Sequence, residues 1–278
     1  MNDTIAATLA RHLDGTLRMP ADLGRVRAAY QAARPFPHVV LDDLFEPALL
    51  RRVLADGRGL DATQLLKFER DGLERTARMS SPLELGASGA AFVALLHSAP
   101  FLYFLSEITG IWQLLPDPYL QGAGHALMRR GDFFGVHADR SIAYDTGLVR
   151  RLALIVFLNE DWSADFNGNL ELWDAEGKAC QAAIAPTFNR TVIFEVAFPN
   201  YHGVPQPLAC PVGRARHSVI LYFHTASAVG KDAIKPHSSR FAPQAYRRKE
   251  PALYRVARRL MPPLLLDIYR RLRGRSID

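Results

Sequence analysis

The chain has 278 residues, 49% hydrophobic and 22% charged, the balance of a folded protein rather than a disordered one. Its longest apolar stretch, 90–112, is broken by His97, Pro100 and Glu107, so no run of about 18 uncharged apolar residues marks a membrane span. The net charge of +6 is unevenly spread, because residues 231–278 carry 13 Lys/Arg against 4 Asp/Glu while the remainder nets −3; a neutral body with a basic appendage argues against a nucleic-acid partner.

The first twenty residues hold Asp3 and Asp14 and lack a basic start followed by an apolar core, which argues against a secretory signal. Two cysteines, Cys180 and Cys210, read as free thiols of a cytoplasmic protein. Residues 1–34 read as an N-terminal helical segment, with Leu9, Leu13, Leu17, Leu23, Val26 and Tyr30 at helical spacings and Pro20 as a break. A strand is expected over Phe36–Leu41 and a helix over Pro47–Leu54, with Pro in its first turn. Two helices are expected between Ala90 and Thr109, separated at Ser98–Pro100.

From about Tyr119 the pattern changes to short runs rich in β-branched and aromatic residues, punctuated by Gly, Asn, Asp and Pro. They are Ala126–Met128, Phe133–Asp139, Arg151–Leu158, Asn169–Trp173, Thr191–Val196 and His217–His224. Helices first and strands afterwards predict an α+β fold, a jelly-roll core buttressed by N-terminal helices. The core domain is expected over 35–230, followed by a basic helical tail over 231–278.

The most chemical segment is Gly135-Val-His137-Ala-Asp139. On a strand His137 and Asp139 point to one face and can chelate one metal ion. Alone the triplet is weak evidence. Its sequel is stronger: Tyr201-His202-Gly203, then Arg216-His-Ser218 opening the strand Val219–Phe223. Two His and one carboxylate leave one face of an octahedral iron open. Arg216 can hold the far carboxylate of a dicarboxylate co-substrate by paired hydrogen bonds, and Ser218, on the same face, can donate another.

From about Pro35 to Thr225 the chain resembles the prolyl-4-hydroxylase-like branch of the Fe(II)/2-oxoglutarate-dependent dioxygenases, in particular a bacterial group of that branch. The carrying segments, in the family's order, are Pro35–Asp43, Leu115–Leu120, Val136–Asp139, Arg150–Trp162, Gly168–Asp174, Tyr201–Gly203 and Arg216–Ser218. The resemblance implies a double-stranded β-helix, iron ligands at His137, Asp139 and His202, 2-oxoglutarate held by Arg216, and hydroxylation with O2 as co-substrate. Phe157 departs from the pattern, since animal prolyl hydroxylases often place there a Tyr whose hydroxyl helps hold the co-substrate. Ser218 or Thr191 is then expected to replace it. Asp139 is retained, which argues against the halogenating members.

Other residues carry two readings. Arg140, Arg150 and Arg151 are either contacts for an anionic substrate or solvated charge. Trp162 and Trp173 either stack on a substrate or pack in the core. His125 is either a donor supporting the site or an ordinary strand histidine. The tail, Arg255–Arg273, mixes Leu and Arg clusters around Pro262-Pro263. It reads as an interfacial helix touching anionic lipid, hence peripheral membrane contact, or as a helix packed on the body. The expected substrate is a small molecule or a sugar- or lipid-linked metabolite, slightly favoured over a peptidyl proline. The alternatives are a non-catalytic jelly-roll binding module and a membrane-surface adaptor acting through the basic tail. The sequence carries no signal of oligomeric state.

Overall fold

Runs in which alternate residues are apolar become strands because one face of each can be buried. The computed structural model, which describes residues 8–9, 11, 13, 15–60, 63, 65–70, 72–226 and 237–242, joins such runs into one curled antiparallel sheet. In chain order its strands are β1 (His38–Asp42), β2 (Leu66–Arg70), β3 (Glu74–Met79), β4 (Gly124–Arg129), β5 (Phe133–Ala138) and β6 (Val149–Phe157). They continue with β7 (Leu170–Trp173), β8 (Cys180–Ile184), β9 (Arg190–Glu195), β10 (His202–Val204), β11 (Ala215–Thr225) and β12 (Arg240–Phe241). The spatial order is β1-β9-β6-β11-β4-β3-β5-β10-β7-β8, with β2 on β3 and β12 on β5.

β3 turns this sheet back on itself. Its Ala77–Met79 pair with β4, while Glu74 and Arg75 pair with β5. The larger half, β1 to β4, thus faces the smaller half, β5 to β8, across an interior, the jelly-roll arrangement expected from the strand pattern. The sequence reading found β1, β4, β5, β6, β7, β9 and β11 and missed β2, β3, β8, β10 and β12.

Among the described residues, the larger half is covered by the helices α1 (Leu23–Ala32), α2 (Pro47–Arg58), α3 (Gly86–Leu96) and α4 (Ala99–Thr109). Asp22 caps α1 by accepting from the Arg25 N–H at 2.9 Å, and Pro47 opens α2 where its missing N–H costs nothing. The break expected at Ser98–Pro100 is present, with the Ser98 hydroxyl accepting from the Phe101 N–H. Phe45, Phe92, Phe101, Phe104 and Phe223 are all fully buried in the core beneath these helices. Among the described residues no single helix is long and apolar enough to cross a membrane.

Residues 237–242, assigned from sequence to the tail, belong with the body. Arg240 and Phe241 pair with Ala138 and His137, extending β5 at its edge. Residues 243–278, including the expected amphipathic helix, lie outside the described residues. Cys180 is exposed, Cys210 is buried, and both are free.

Candidate metal centre

His137 is the next-to-last residue of β5 and Asp139 follows the strand directly, while His202 opens β10. The β10–β5 register puts His202 directly across from His137, with ring centroids 4.6 Å apart. The Asp139 carboxylate completes the group: Oδ1 is 3.5 Å from His137 Nε2 and Oδ2 is 3.5 Å from His202 Nε2. One ligand atom from each of the three lies within 4.8 Å of the others, and all three residues are buried.

Both rings are held by backbone. His137 Nδ1 is 2.8 Å from the Gly135 carbonyl, and His202 Nδ1 is 3.2 Å from the Asn200 carbonyl. A carbonyl only accepts, so Nδ1 carries the hydrogen in each ring and the Nε2 lone pair is free. Burial pushes His202 down to about 4, so it is neutral at pH 7. Burial works to raise Asp139, but His202, His137 and Arg150 together hold it below the usual carboxylate range. Neutral imidazole and ionised carboxylate are the forms a metal ion binds. Asp139 Oδ2 is buried without a hydrogen-bond partner, a costly arrangement that a cation in the group would relieve. The donor set therefore fits a divalent iron with open positions.

The three ligands line a cavity enclosed by both halves of the sheet, and Arg216 lines it too. Arg216 Nε donates to the Gly168 carbonyl at 2.8 Å, and its guanidinium lies 4.8 Å from the centre of the Phe157 ring. Only 3% of Arg216 is exposed. Burial lowers it to about 9, so it stays cationic at neutral pH. Among the described residues no carboxylate pairs with it, as suits a residue that receives an anion. Gly168 permits this approach: its φ is +86°, and a Cβ there would meet Arg216 Cδ at 3.2 Å. Trp162, which donates from Nε1 to the Asn167 carbonyl at 2.8 Å, closes the same end.

Ser218 is fully buried, and its hydroxyl lacks a partner. It shares the face of Arg216, Ile220 and Tyr222, three residues that line the cavity. Thr191 does not share it. It pairs with Val156, whereas its neighbours in alternation, Ala153, Ile155 and Phe194, face the cavity. The replacement hydroxyl expected at Ser218 or Thr191 is thus available from Ser218 alone.

Three sequence candidates fall elsewhere. His125 alternates with the cavity residues Ala126 and Met128 and points to the opposite face. There its Nε2 is 3.0 Å from His217 Nδ1, and a Cβ on Gly57 of α2 would overlap its ring. Trp173 packs with Val136, Ala138 and Tyr201 behind the smaller half and donates to Glu171 Oε2 at 3.0 Å. Arg151 turns to Glu195 at 4.0 Å. A bulge causes this: Arg150 and Leu152 pair with the consecutive residues His224 and Phe223, so alternation shifts by one and Arg150 takes the inner position. The Arg150 guanidinium lies 3.7 Å from the centre of the Tyr222 ring. Arg140 stays beside Asp139, with its guanidinium 3.5 Å from the Tyr144 ring centre.

Three polar cavity residues were not singled out from sequence: Thr76 and Arg78 on β3 and Tyr222 on β11. Tyr222 lies close enough to Asp139 for the two to interact electrostatically. The alternation Glu74-x-Thr76-x-Arg78 is the signal that could have exposed Arg78, as a strand with a polar inner face.

Residues 123–224 match the family model of the 2OG-Fe(II) oxygenase superfamily, a span holding all three candidate ligands, Arg216 and Ser218. None of the curated proteins matches the chain. Among solved structures, a Pseudomonas putida prolyl-4-hydroxylase is 20% identical, with 72% of this chain and 98% of that one covered at a TM-score of 0.52. A Trichoplax adhaerens prolyl hydroxylase, solved with a hypoxia inducible factor peptide fragment, is 15% identical, covering 81% and 94% at 0.51. The alpha-ketoglutarate dependent epimerase SnoN from nogalamycin biosynthesis is 12% identical, covering 82% and 98% at 0.53. These structures share the fold. The matched span, residues 123–224, is thus a 2OG-Fe(II) oxygenase domain by its model, a type of domain that works with Fe(II), 2-oxoglutarate and O2, and it holds the His-Asp-His group such a domain needs.

Proposed function

We propose that this chain hydroxylates an unactivated C–H bond of a small molecule or a sugar- or lipid-linked metabolite. One O2 and one 2-oxoglutarate are consumed, one oxygen atom enters the substrate as hydroxyl, and succinate and CO2 leave. The observation that carries the reading is a single cavity with His137, Asp139 and His202 on its wall and the unpaired cation of Arg216 at one end. Bound Fe(II) would supply O2 activation coupled to decarboxylation of the oxoacid.

The chain's own residues supply the rest. His137 and His202 would hold the metal through Nε2, their rings fixed by the Gly135 and Asn200 carbonyls. Tyr222 stands beside Asp139 and lines the same cavity. Arg216 and Ser218 bind the distal carboxylate of 2-oxoglutarate, which fixes its direction in the cavity. Phe194, Leu170, Ala153 and Ile155 make the intervening wall apolar and exclude water.

The test is succinate formation by the iron-loaded full chain, assayed with a panel of phosphorylated metabolites, carrier-linked sugars and proline peptides. Stimulation by a metabolite, lost in His137→Ala, supports the proposal. Stimulation by proline peptides alone would reassign the substrate to a polypeptide.

A further inference from the structure

The surroundings of Tyr222, away from Arg216, are also basic: Arg78 lines the cavity there, and Arg150 stands over the Tyr222 ring just outside that lining. Along β11, Arg216 and Tyr222 are six residues apart, roughly 20 Å at the rise of a strand, and the Tyr222 end is the Asp139 end. Around Tyr222 three arginines converge on the segment Gln121–Gly122. Arg78 Nη1 donates to the Gly122 carbonyl at 2.7 Å, and Arg150 Nη2 to the Gln121 carbonyl at 2.8 Å. Arg140 lies over the Tyr144 ring, whose backbone N–H donates to Gln121 Oε1 at 2.7 Å.

The charges do not balance. Glu74 pairs with Arg78 at 3.2 Å, and Asp139 is committed to the metal group. Arg140 and Arg150 are then left without a carboxylate of their own among the described residues. The Nε atoms of Arg78, Arg140 and Arg150 are all buried without a hydrogen-bond partner, and Arg150 is only 4% exposed. Buried guanidinium N–H groups without acceptors are costly unless something supplies oxygen atoms. Two surplus positive charges match a dianion better than a monoanion.

We propose that this arginine cluster is an anion subsite for the substrate, which carries a phosphate monoester or a comparable dianionic group. The inference rests on the oxygenase reading and narrows its substrate class. The phosphate sits against Arg140 and Arg150, with Arg78 beside it, on the side of the metal group away from the co-substrate. The rest of the molecule then extends toward the open positions of the iron.

The test is calorimetric titration of the metal-free full chain with inorganic phosphate and, separately, acetate. Arg150→Gln, the half-buried Arg140→Gln, Arg216→Gln and the exposed helix control Arg52→Gln are compared. Phosphate should bind more tightly than acetate. Its affinity should fall about tenfold in Arg140→Gln and in Arg150→Gln, the size of one lost charge-assisted hydrogen bond, and stay unchanged in Arg52→Gln. No binding, loss in Arg216→Gln alone, or acetate binding as tightly as phosphate overturns the proposal. Should Arg150→Gln fail to fold, Arg140→Gln decides. Because the titration needs neither iron nor oxoacid, its failure is separate from failure of the oxygenase reading, which shows as absent Fe(II) binding.

Discussion

Ser218 stands directly opposite Phe157 in the β11–β6 pair, its buried hydroxyl unpartnered beside the ring that carries the Arg216 guanidinium. Phe157 carries no hydroxyl, and one from the neighbouring strand occupies the same layer of the cavity. Ser218→Ala should therefore weaken 2-oxoglutarate binding about fivefold, the worth of about 1 kcal/mol for one hydrogen bond. Fe(II) affinity should be untouched. Phe157→Tyr in the Ser218→Ala background should recover part of the loss. Equilibrium binding of both ligands to the three proteins checks this, and unchanged co-substrate affinity in Ser218→Ala would contradict it.

Gly168→Ala tests the same pocket through the backbone. The new Cβ would meet Arg216 Cδ at 3.2 Å, at a φ of +86°. The expected cost is about 1 kcal/mol in stability and a larger relative loss of 2-oxoglutarate affinity than of Fe(II) affinity. Thermal melts and co-substrate titration separate the two effects.

His125 and His217 should prove structural. His125→Ala removes the ring that fills the space over Gly57 and strands its partner His217. It should lower the melting temperature while leaving Fe(II) and 2-oxoglutarate dissociation constants within about twofold, because the pair lies on the far face of the sheet. A selective loss of substrate-stimulated turnover in a stably folded His125→Ala protein would restore the supporting role expected from sequence.

Acid should destabilise the metal-free protein over a defined window. Burial depresses His125, His202 and His224 to about 4 and His217 to about 3, against an ordinary value of about 6.5. The unfolded chain binds these protons first, so stability rises with pH. The contribution is complete above about pH 6.5 and is lost as pH falls toward 4 and 3. Urea midpoints measured from pH 8 to pH 4 should be flat above pH 7 and fall below pH 6.5. A midpoint unchanged down to pH 4.5 would contradict it.

The metal group was legible from sequence because its residues obey simple rules. His137 and Asp139 are two apart on a strand, and His202, Arg216 and Ser218 follow in a recognisable order. What escaped notice depended on registration between strands. Arg78 lies on β3, whose inner face is Glu74, Thr76 and Arg78 rather than apolar residues, so hydrophobic alternation did not mark it. Arg150 and Arg151 look equivalent in the sequence, but the bulge opposite Phe223/His224 hands the inner position to Arg150. His125 looked close in sequence to the site strand and lies behind it, since β4 presents Ala126 and Met128 inward. Residues 237–242 looked like tail because their pairing with β5 is short and distant in sequence.

The most direct test of the central claim is anaerobic addition of Fe(II) and then 2-oxoglutarate to the full chain, following the weak visible charge-transfer band of an iron–oxoacid chelate. The account predicts a band in the native protein, none in His137→Ala or His202→Ala, and a band requiring much more 2-oxoglutarate in Arg216→Gln. A correctly folded native protein that gives no band, or a band that persists in both histidine variants, would contradict the assignment of this cavity as the iron and 2-oxoglutarate site.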